Sequence, residues 1–291
     1  MNVEAFELGK KFGEIWGVKN VTLSVSNGSV AVLAGPNGAG KTTTTRILTT
    51  FFKPDKGWAR VGGFDVTKEY REVRKIISYL PQGYGVSGDM TPEEFIISTL
   101  MTRGFSYSEA KKEARRWLEV LGLWDIRNRR AWVLSGGERR RTVVASALAV
   151  PATVYFLDEP TAGVDVEGRY ATLKAVREVA ANGATIFMTT HNLTEAQMVA
   201  DEVFFINSGI TITSGKPFFL VEALPYKFKA VVDKRNHLPE DIQYIDLGDK
   251  VVIYAKTRSE LYNVVEELKT NIHEIREVDL EDAYLNAVRV K

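Results

Sequence analysis

Apolar and polar positions change their period several times along this chain. Runs that are apolar or β-branched throughout, at residues 30–34, 154–157 and 185–189, have the pattern of strands buried on both faces, and each is soon followed by polar residues or glycine. Between them, longer amphipathic patterns over 41–51, 91–103, 108–121, 138–150 and 166–181 predict helices. Ser, Thr or Asp introduces several of these, most clearly at TPEE from Thr91, where a proline and two acids occupy the first turn. Strands alternating with helices predict an α/β architecture with a largely parallel sheet, and the ligand crevice of such a sheet lies beyond the carboxyl ends of its strands.

The pattern changes after Asn207. Gly209, Gly215 and Pro217 predict a hairpin followed by a break. Beyond it, strands at 227–233 and 250–255 and helices at 259–270 and 280–288 predict a small α+β domain. The expected division is a body of residues 1–220, with a helical subdomain at about 88–150, and a C-terminal accessory domain of residues 221–291.

With 45% apolar and 26% charged residues, the composition is that of a folded chain. There is no cysteine, which excludes disulfides, thiolate zinc sites, iron–sulfur clusters and cysteine nucleophiles. Lys and Arg number 38 against 37 Asp and Glu, a net charge of +1, so no field recommends a nucleic-acid partner. No stretch approaches the roughly 18 apolar residues of a membrane-spanning helix, and the opening residues are charged where a secretion signal would be apolar. A cytoplasmic chain is expected, one that can still dock on a membrane protein.

Residues 35–42 read GPNGAGKT, the pattern of a phosphate-binding loop, and they lie between a predicted strand and a predicted helix. Gly35, Gly38 and Gly40 permit a backbone nest whose N–H groups face phosphate oxygens, and the helix after it presents its positive end to the same anion. Lys41 is the point charge for the β- and γ-phosphates, and the Thr42 hydroxyl is a ligand for Mg²⁺. Residues 154–160 read VYFLDEP, a strand that ends on two adjacent carboxylates. Such a pair suits a metal or a proton transfer: Asp158 for the Mg²⁺ shell through water, and Glu159 as the base or orienting group for the attacking water.

One further motif narrows the class. Residues 134–138 read LSGGE at the start of a predicted helix, upstream of LDEP. This ordered set resembles the ABC ATPase family over roughly residues 1–217, and three further segments support the resemblance. Gln82 after IISYLP is similar to the family's Q-loop, TAGVD ending at Asp165 to its D-loop, and His191 after TIFMTT to its switch histidine. The resemblance implies the P-loop NTPase core of ABC type, with a β subdomain and a helical subdomain. It implies an ATP site formed by Phe12 (stacking on adenine), Val18, Gly35, Asn37, Gly38, Ala39, Gly40, Lys41, Thr42 and Thr43. Thr42, Gln82 and Asp158 would serve Mg²⁺, and Glu159, His191 and Gln82 would serve catalysis. Ser135, Gly136, Gly137 and Glu138 would act in trans, closing over the γ-phosphate held by a second nucleotide domain, with Asp165 coupling the two sites. Glu138 and Phe12 stand where the family more often has Gln and Tyr. Of the arginines at 139–141, Arg141 matches the family and the other two read as a solvated or packing face.

The interval between Lys41 and Leu134 is too short for the coiled coil of ABC repair proteins, and a single ATPase domain is unlike the translation factors of the family. The chain therefore resembles the ATP-binding subunit of a transporter with a separate membrane permease, peripheral on the inner face of the cell membrane, paired as a homodimer or a heterodimer. The ending REVDLEDAYLNAV resembles the LEDxFL segment of ABC-2 type exporters, and it also reads as a plain amphipathic helix. Export is the expected direction. An importer ATPase with a regulatory tail and a soluble, non-transport ABC ATPase are the alternatives.

Overall fold

A computed structural model of the chain describes residues 2–235 and 242–289. Strands β1 (Val3–Phe12) and β2 (Ile15–Val25) pair antiparallel, and along β2 Val21, Leu23 and Val25 are buried while the residues between them are exposed. That alternation gives one face to a core and the other to water. Then follow β3 (Val30–Ala34), α1 (Lys41–Leu48), β4 (Lys56–Val61), β5 (Phe64–Asp65), α2 (Tyr70–Ile76) and β6 (Ile77–Leu80). After these come α3 (Pro92–Met101), α4 (Tyr107–Val120), α5 (Gly136–Ala149), β7 (Val154–Asp158) and α6 (Val166–Ala181). The last elements of the body are β8 (Thr185–Thr190), α7 (Leu193–Val199), β9 (Glu202–Asn207) and β10 (Ile210–Gly215).

The strands form one ten-stranded sheet in the order β5-β4-β1-β2-β10-β9-β3-β8-β7-β6. Its β9-β3-β8-β7-β6 part is parallel, and β3, β7 and β8 are buried at every position, as their apolar runs predict. Phe156 and Phe187 meet there at 5.7 Å, both fully buried, and each contributes about 1.5–3 kcal/mol by leaving water. The periodicity places none of the antiparallel strands β1, β2, β4 and β5; only the β subdomain implied by the resemblance anticipates them. Charged residues interrupt their alternation, and β1 shifts register around Glu7, whose φ is 48°.

Helices α3, α4 and α5 pack on one another and fall within the expected helical subdomain. The start of α3 is closed by a reciprocal pair: the Glu94 N–H donates to Thr91 Oγ1 at 3.2 Å and the Thr91 N–H donates to Glu94 Oε2 at 2.8 Å. Helix α1 stops at Leu48, short of the 51 expected from its pattern. Thr50 turns left-handed at φ 66°, and the N–H groups of Thr50 and Phe51 return to the carbonyls of Ile47 and Arg46, so the last turn closes on itself.

By contact the chain divides into two compact units, one ending at Gly215 and one starting at Lys216. The division falls slightly ahead of residue 220 because Pro217 opens a helix of the second unit, α8 (Pro217–Glu222). That unit continues with β11 (Phe228–Asp233), β12 (Tyr244–Asp246), β13 (Lys250–Ala255), α9 (Arg258–Leu268), β14 (Ile272–Glu277) and α10 (Leu280–Arg289). Its sheet has the order β12-β13-β11-β14, and Leu261 and Val265 of α9 join Val232, Val251 and Ile253 in its core. The outer strands are mostly exposed, and β12 has only three residues while polar residues separate the two isoleucines of β14, so neither leaves an apolar run in the sequence.

Candidate functional site

Four parallel strands end at one edge. β3 leads into the loop before α1, β6 ends two residues before Gln82, β7 ends at Asp158, and β8 ends just before His191. The register pairs Ala34 with Thr190, Asp158 with Thr189 and Leu80 with Leu157, which holds the ends level. A cavity of about 320 Å³ opens there, lined by Asn37, Gly38, Gly40, Lys41, Thr42 and Thr43 and by Gly17, Gln82 and Glu159. Two loop positions admit only glycine. A Cβ on Gly35 would stand 2.1 Å from the Ile206 carbonyl oxygen, and Gly40, at φ 104°, would place one 2.7 Å from the Gly17 carbonyl oxygen.

Lys41, only 6% exposed, donates from Nζ to the carbonyls of Gly35 at 2.8 Å and Pro36 at 3.1 Å, and lies 3.3 Å from Glu159 Oε1. The other oxygen of Glu159 is 2.9 Å from His191 Nδ1. Glu159 is itself buried and left-handed, at φ 51°, a conformation that costs a non-glycine residue about 1–3 kcal/mol. Its neighbours hold it there from both sides. Its N–H donates to the Thr189 carbonyl and to Thr189 Oγ1, and its carbonyl accepts from Arg140 Nη2 at 2.8 Å. The same Nη2 donates to the Asp158 carbonyl at 2.6 Å. Burial lowers the Arg140 guanidinium below its ordinary value, opposed by the charges of Asp158 and Glu159.

Asp158 is fully buried. Its Oδ1 accepts from Thr189 Oγ1 at 2.5 Å, whereas its Oδ2 has no hydrogen-bond partner among the described residues. Across the cavity mouth, Thr42 Oγ1 donates to Gln82 Oε1 at 3.2 Å. In the Thr run of α1, Thr44 and Thr45 return their hydroxyls to carbonyls one turn back, which leaves Thr42 to face Gln82. An orphaned buried carboxylate oxygen and two further hard oxygen donors fit Mg²⁺. Among the described residues no group of three His, Asp or Glu could hold a metal unaided.

The structure brings together Lys41, Thr42, Gln82, Glu159 and His191, with Asp158 directly behind them. Other expected residues lie elsewhere. Val18 and Ala39 are core residues that support the loop from beneath and do not line the cavity. Phe12 is half exposed at the end of β1, its edge on Phe52 at 5.3 Å, next to Gly17 but outside the lining. Ser135 and Glu138 cap α5 reciprocally: the Glu138 N–H donates to Ser135 Oγ at 3.1 Å, and the Ser135 N–H donates to Glu138 Oε2 at 2.7 Å. They and the glycines between them do not line the cavity of their own chain. Asp165 caps α6, accepting the Gly168 N–H at 2.7 Å.

Sequence reasoning missed four residues. Gly17 lines the cavity from a strand with no motif. Thr189 holds both Asp158 and Glu159, and only its place in TIFMTT opposite LDEP could have pointed to it. Glu195, 4% exposed, accepts from Thr161 Oγ1 at 2.6 Å and Thr190 Oγ1 at 3.2 Å, and so ties the segment after Glu159 to the one before His191. Arg140, read as a solvated or packing face, packs: one turn into α5 it grips the backbone behind the site, a role the sequence did not assign.

Comparison with known proteins accords with this geometry. The profile of the family described as ABC transporter matches residues 18–162. The daunorubicin/doxorubicin resistance ATP-binding protein DrrA of Streptomyces peucetius is 38% identical over 213 residues, covering 73% of this chain and 64% of that protein. The chain thus spans less than two thirds of DrrA. The Fe(3+) ions import ATP-binding protein FbpC of Brucella suis biovar 1 (strain 1330) is 34% identical over 248 residues, covering 84% of this chain and 70% of that one. Among solved structures, a dimeric, post-hydrolysis ATP-binding cassette with ADP and Pi superposes with a TM-score of 0.68 at 24% identity, over 74% of this chain and 98% of that one. That likeness speaks for the fold, an ABC ATPase cassette. Shared across most of its body with relatives of this identity, and built on a phosphate loop flanked by Gln82, Asp158, Glu159 and His191, the chain belongs to the ABC transporter family as one of its ATP-binding proteins.

Proposed function

We propose that the chain binds and hydrolyses ATP in the cavity at the strand ends, as the ATP-binding subunit of an exporter with a separate membrane permease. One observation carries this reading: the strand ends deliver a buried lysine, a strained buried carboxylate, a histidine and a glutamine to one opening. Lys41 gives up Glu159 for the β- and γ-phosphates, which frees the carboxylate to take the proton of the attacking water. His191, at 2.9 Å from that carboxylate, steadies it and reaches the γ-phosphate; Gln82 orients the water. Thr42, Gln82 and, through water, Asp158 would hold Mg²⁺, which would supply charge neutralisation at the phosphates. Phe12 stacks on the adenine.

Ser135, Gly136, Gly137 and Glu138 lie off this cavity at the start of α5, where Ser135 and Gly136 are exposed and Gly137 is buried, and this helix start is available to a second chain. Two chains head to tail would each complete the other's site, with Asp165 at the seam. The second unit serves docking or regulation. A groove beside Tyr79, Pro81, Tyr84 and Thr99 takes a helix of the permease. No described helix is long and apolar enough to cross a membrane.

Export is favoured by the 38% identity to a drug-resistance ATP-binding protein, while the 34% identity to an iron-import ATP-binding protein favours the second reading, import. In vesicles carrying the permease, cargo on the ATP side stimulates hydrolysis by an exporter and cargo on the far side stimulates an importer. Pairing is tested by mixing Lys41→Ala with Ser135→Arg. Each alone should be inactive, and the mixture should regain partial hydrolysis because both lesions fall in one composite site. Wild-type hydrolysis by Ser135→Arg alone would sink the trans assignment.

A further inference from the structure

The helix that starts with the signature residues is fastened to the backbone of Asp158 and Glu159 in its own chain by one side chain. Arg140 lies one turn beyond Gly136 on α5 and is half buried. Its Nη2 donates to the carbonyls of Asp158 and Glu159, and its Nη1 reaches the Pro81 carbonyl at 3.4 Å, next to Gln82. The helix start is also pressed on the segment before Asp165: a Cβ on Gly137 would be 3.3 Å from the Gly163 carbonyl oxygen, and Arg141 Nη2 is 3.9 Å from Asp165 Oδ2. Of these contacts, only that of Arg140 reaches the peptide that carries the strained Glu159.

We propose that Arg140 is a positioning residue, which fixes the direction of the Glu159 carboxylate by holding its backbone carbonyl and ties that carboxylate to the signature helix of the same chain. The physical reason is the left-handed backbone at Glu159. Such a conformation relaxes unless its peptide groups are pinned, and here Thr189 pins the N–H, while Arg140 at 2.8 Å and the Ala162 N–H at 3.2 Å hold the C=O, Arg140 being the side chain that does so. Guanidinium is suited to the task, since Nη2 serves the Asp158 and Glu159 carbonyls while Nη1 reaches that of Pro81, and it keeps its charge in a buried place. A partner chain that moves α5 as it closes on the signature residues would thereby move the base of the opposite site. The inference rests on the reading of Glu159 as the base.

The test uses the full chain with Arg140→Gln and Arg140→Lys, reading single-turnover ATP hydrolysis, ATP affinity and amide hydrogen exchange without nucleotide. A misaimed base costs on the order of 10²-fold in rate. Arg140→Gln should lose about that much while the ATP Kd stays within about threefold, and Arg140→Lys should recover part of it. Exchange should quicken in the peptides around residues 158–162 and 79–83 and stay unchanged elsewhere. Added to Glu159→Gln, Arg140→Gln should cost almost nothing more, since both act through one carboxylate. Wild-type turnover in the Gln variant, an equal loss of affinity, additive losses, or failure of both variants to fold would each overturn the proposal. If Glu159→Gln itself hydrolyses ATP normally, the base assignment is what fails. If Glu159→Gln is dead while the Arg140 variants turn over normally, only the clamp fails.

Discussion

Among the described residues two buried lysines, Lys41 and Lys229, face buried carboxylates, and their surroundings differ. In the first unit Lys41 meets Glu159 at 3.3 Å beside a cavity of about 320 Å³. In the second unit Lys229, 3% exposed, meets Asp282 at 2.6 Å and Asp279 at 3.1 Å. The second cluster is saturated. Asp282, from the LEDAY segment of the tail, also accepts from the Tyr254 hydroxyl at 2.9 Å and the Asp279 N–H at 2.8 Å. Burial and the facing Asp282 push the Tyr254 hydroxyl far above its ordinary value, so it remains a donor. The first cluster is left open: Asp158 keeps an unpartnered oxygen, Glu159 is strained, and Lys41 fills its valence with backbone carbonyls. A buried ion pair is thus no sign of a site in itself. Strain and unmet hydrogen bonds beside open volume mark the one poised for a ligand. The LEDAY ending, read from sequence as an exporter resemblance or as a plain helix, supplies the carboxylate that locks its own unit.

The contrast can be broken most forcibly at Glu159. Glu159→Gln should lose about 10²–10⁴-fold in ATP hydrolysis, keep ATP affinity, and hold an ATP·Mg²⁺-dependent dimer visible by light scattering. Wild-type turnover would put the two clusters on the same footing. Next in size, Lys229→Met strands two carboxylates and should destabilise the second unit by about 3 kcal/mol, read as faster hydrogen exchange across β11 and α10. Hydrolysis by the isolated chain should stay within about twofold of wild type.

The smallest effect is on acid stability. Burial would raise Asp279, but the hydrogen bond and charge of Lys229 and the N–H groups of Glu281 and Asp282 outweigh it and hold the carboxyl below its ordinary value of 3.8. A carboxylate depressed on folding adds stability above its unfolded value, and that contribution is lost as pH falls through the folded one. The Tyr226–Tyr254 pair, 4.3 Å apart, reports on this unit by near-ultraviolet dichroism. Its signal should weaken in acid below about pH 3.8, and in Asp279→Asn this acid dependence should shrink, with a loss of about 1 kcal/mol at neutral pH. An unchanged acid profile would show that Asp279 adds nothing to the locked cluster.

The sequence by itself determined what depends on near neighbours. The inner strands, the glycine loop opening into α1, the capped start of α3 and the two acids at the end of β7 are short-range patterns of burial, φ and hydrogen bonding within one turn. The tertiary structure decided the rest. It is parallel register that sets Lys41, Gln82, Glu159 and His191 side by side, though they come from four distant segments. It also sends Val18 and Ala39 into the core, and turns Arg140 from a face of a helix into a clamp on the backbone behind Glu159. An arginine on a helix has the same local sequence whether it faces water or a strained carbonyl, because that difference lies in the packing of α5 against the end of β7 and not in either segment alone.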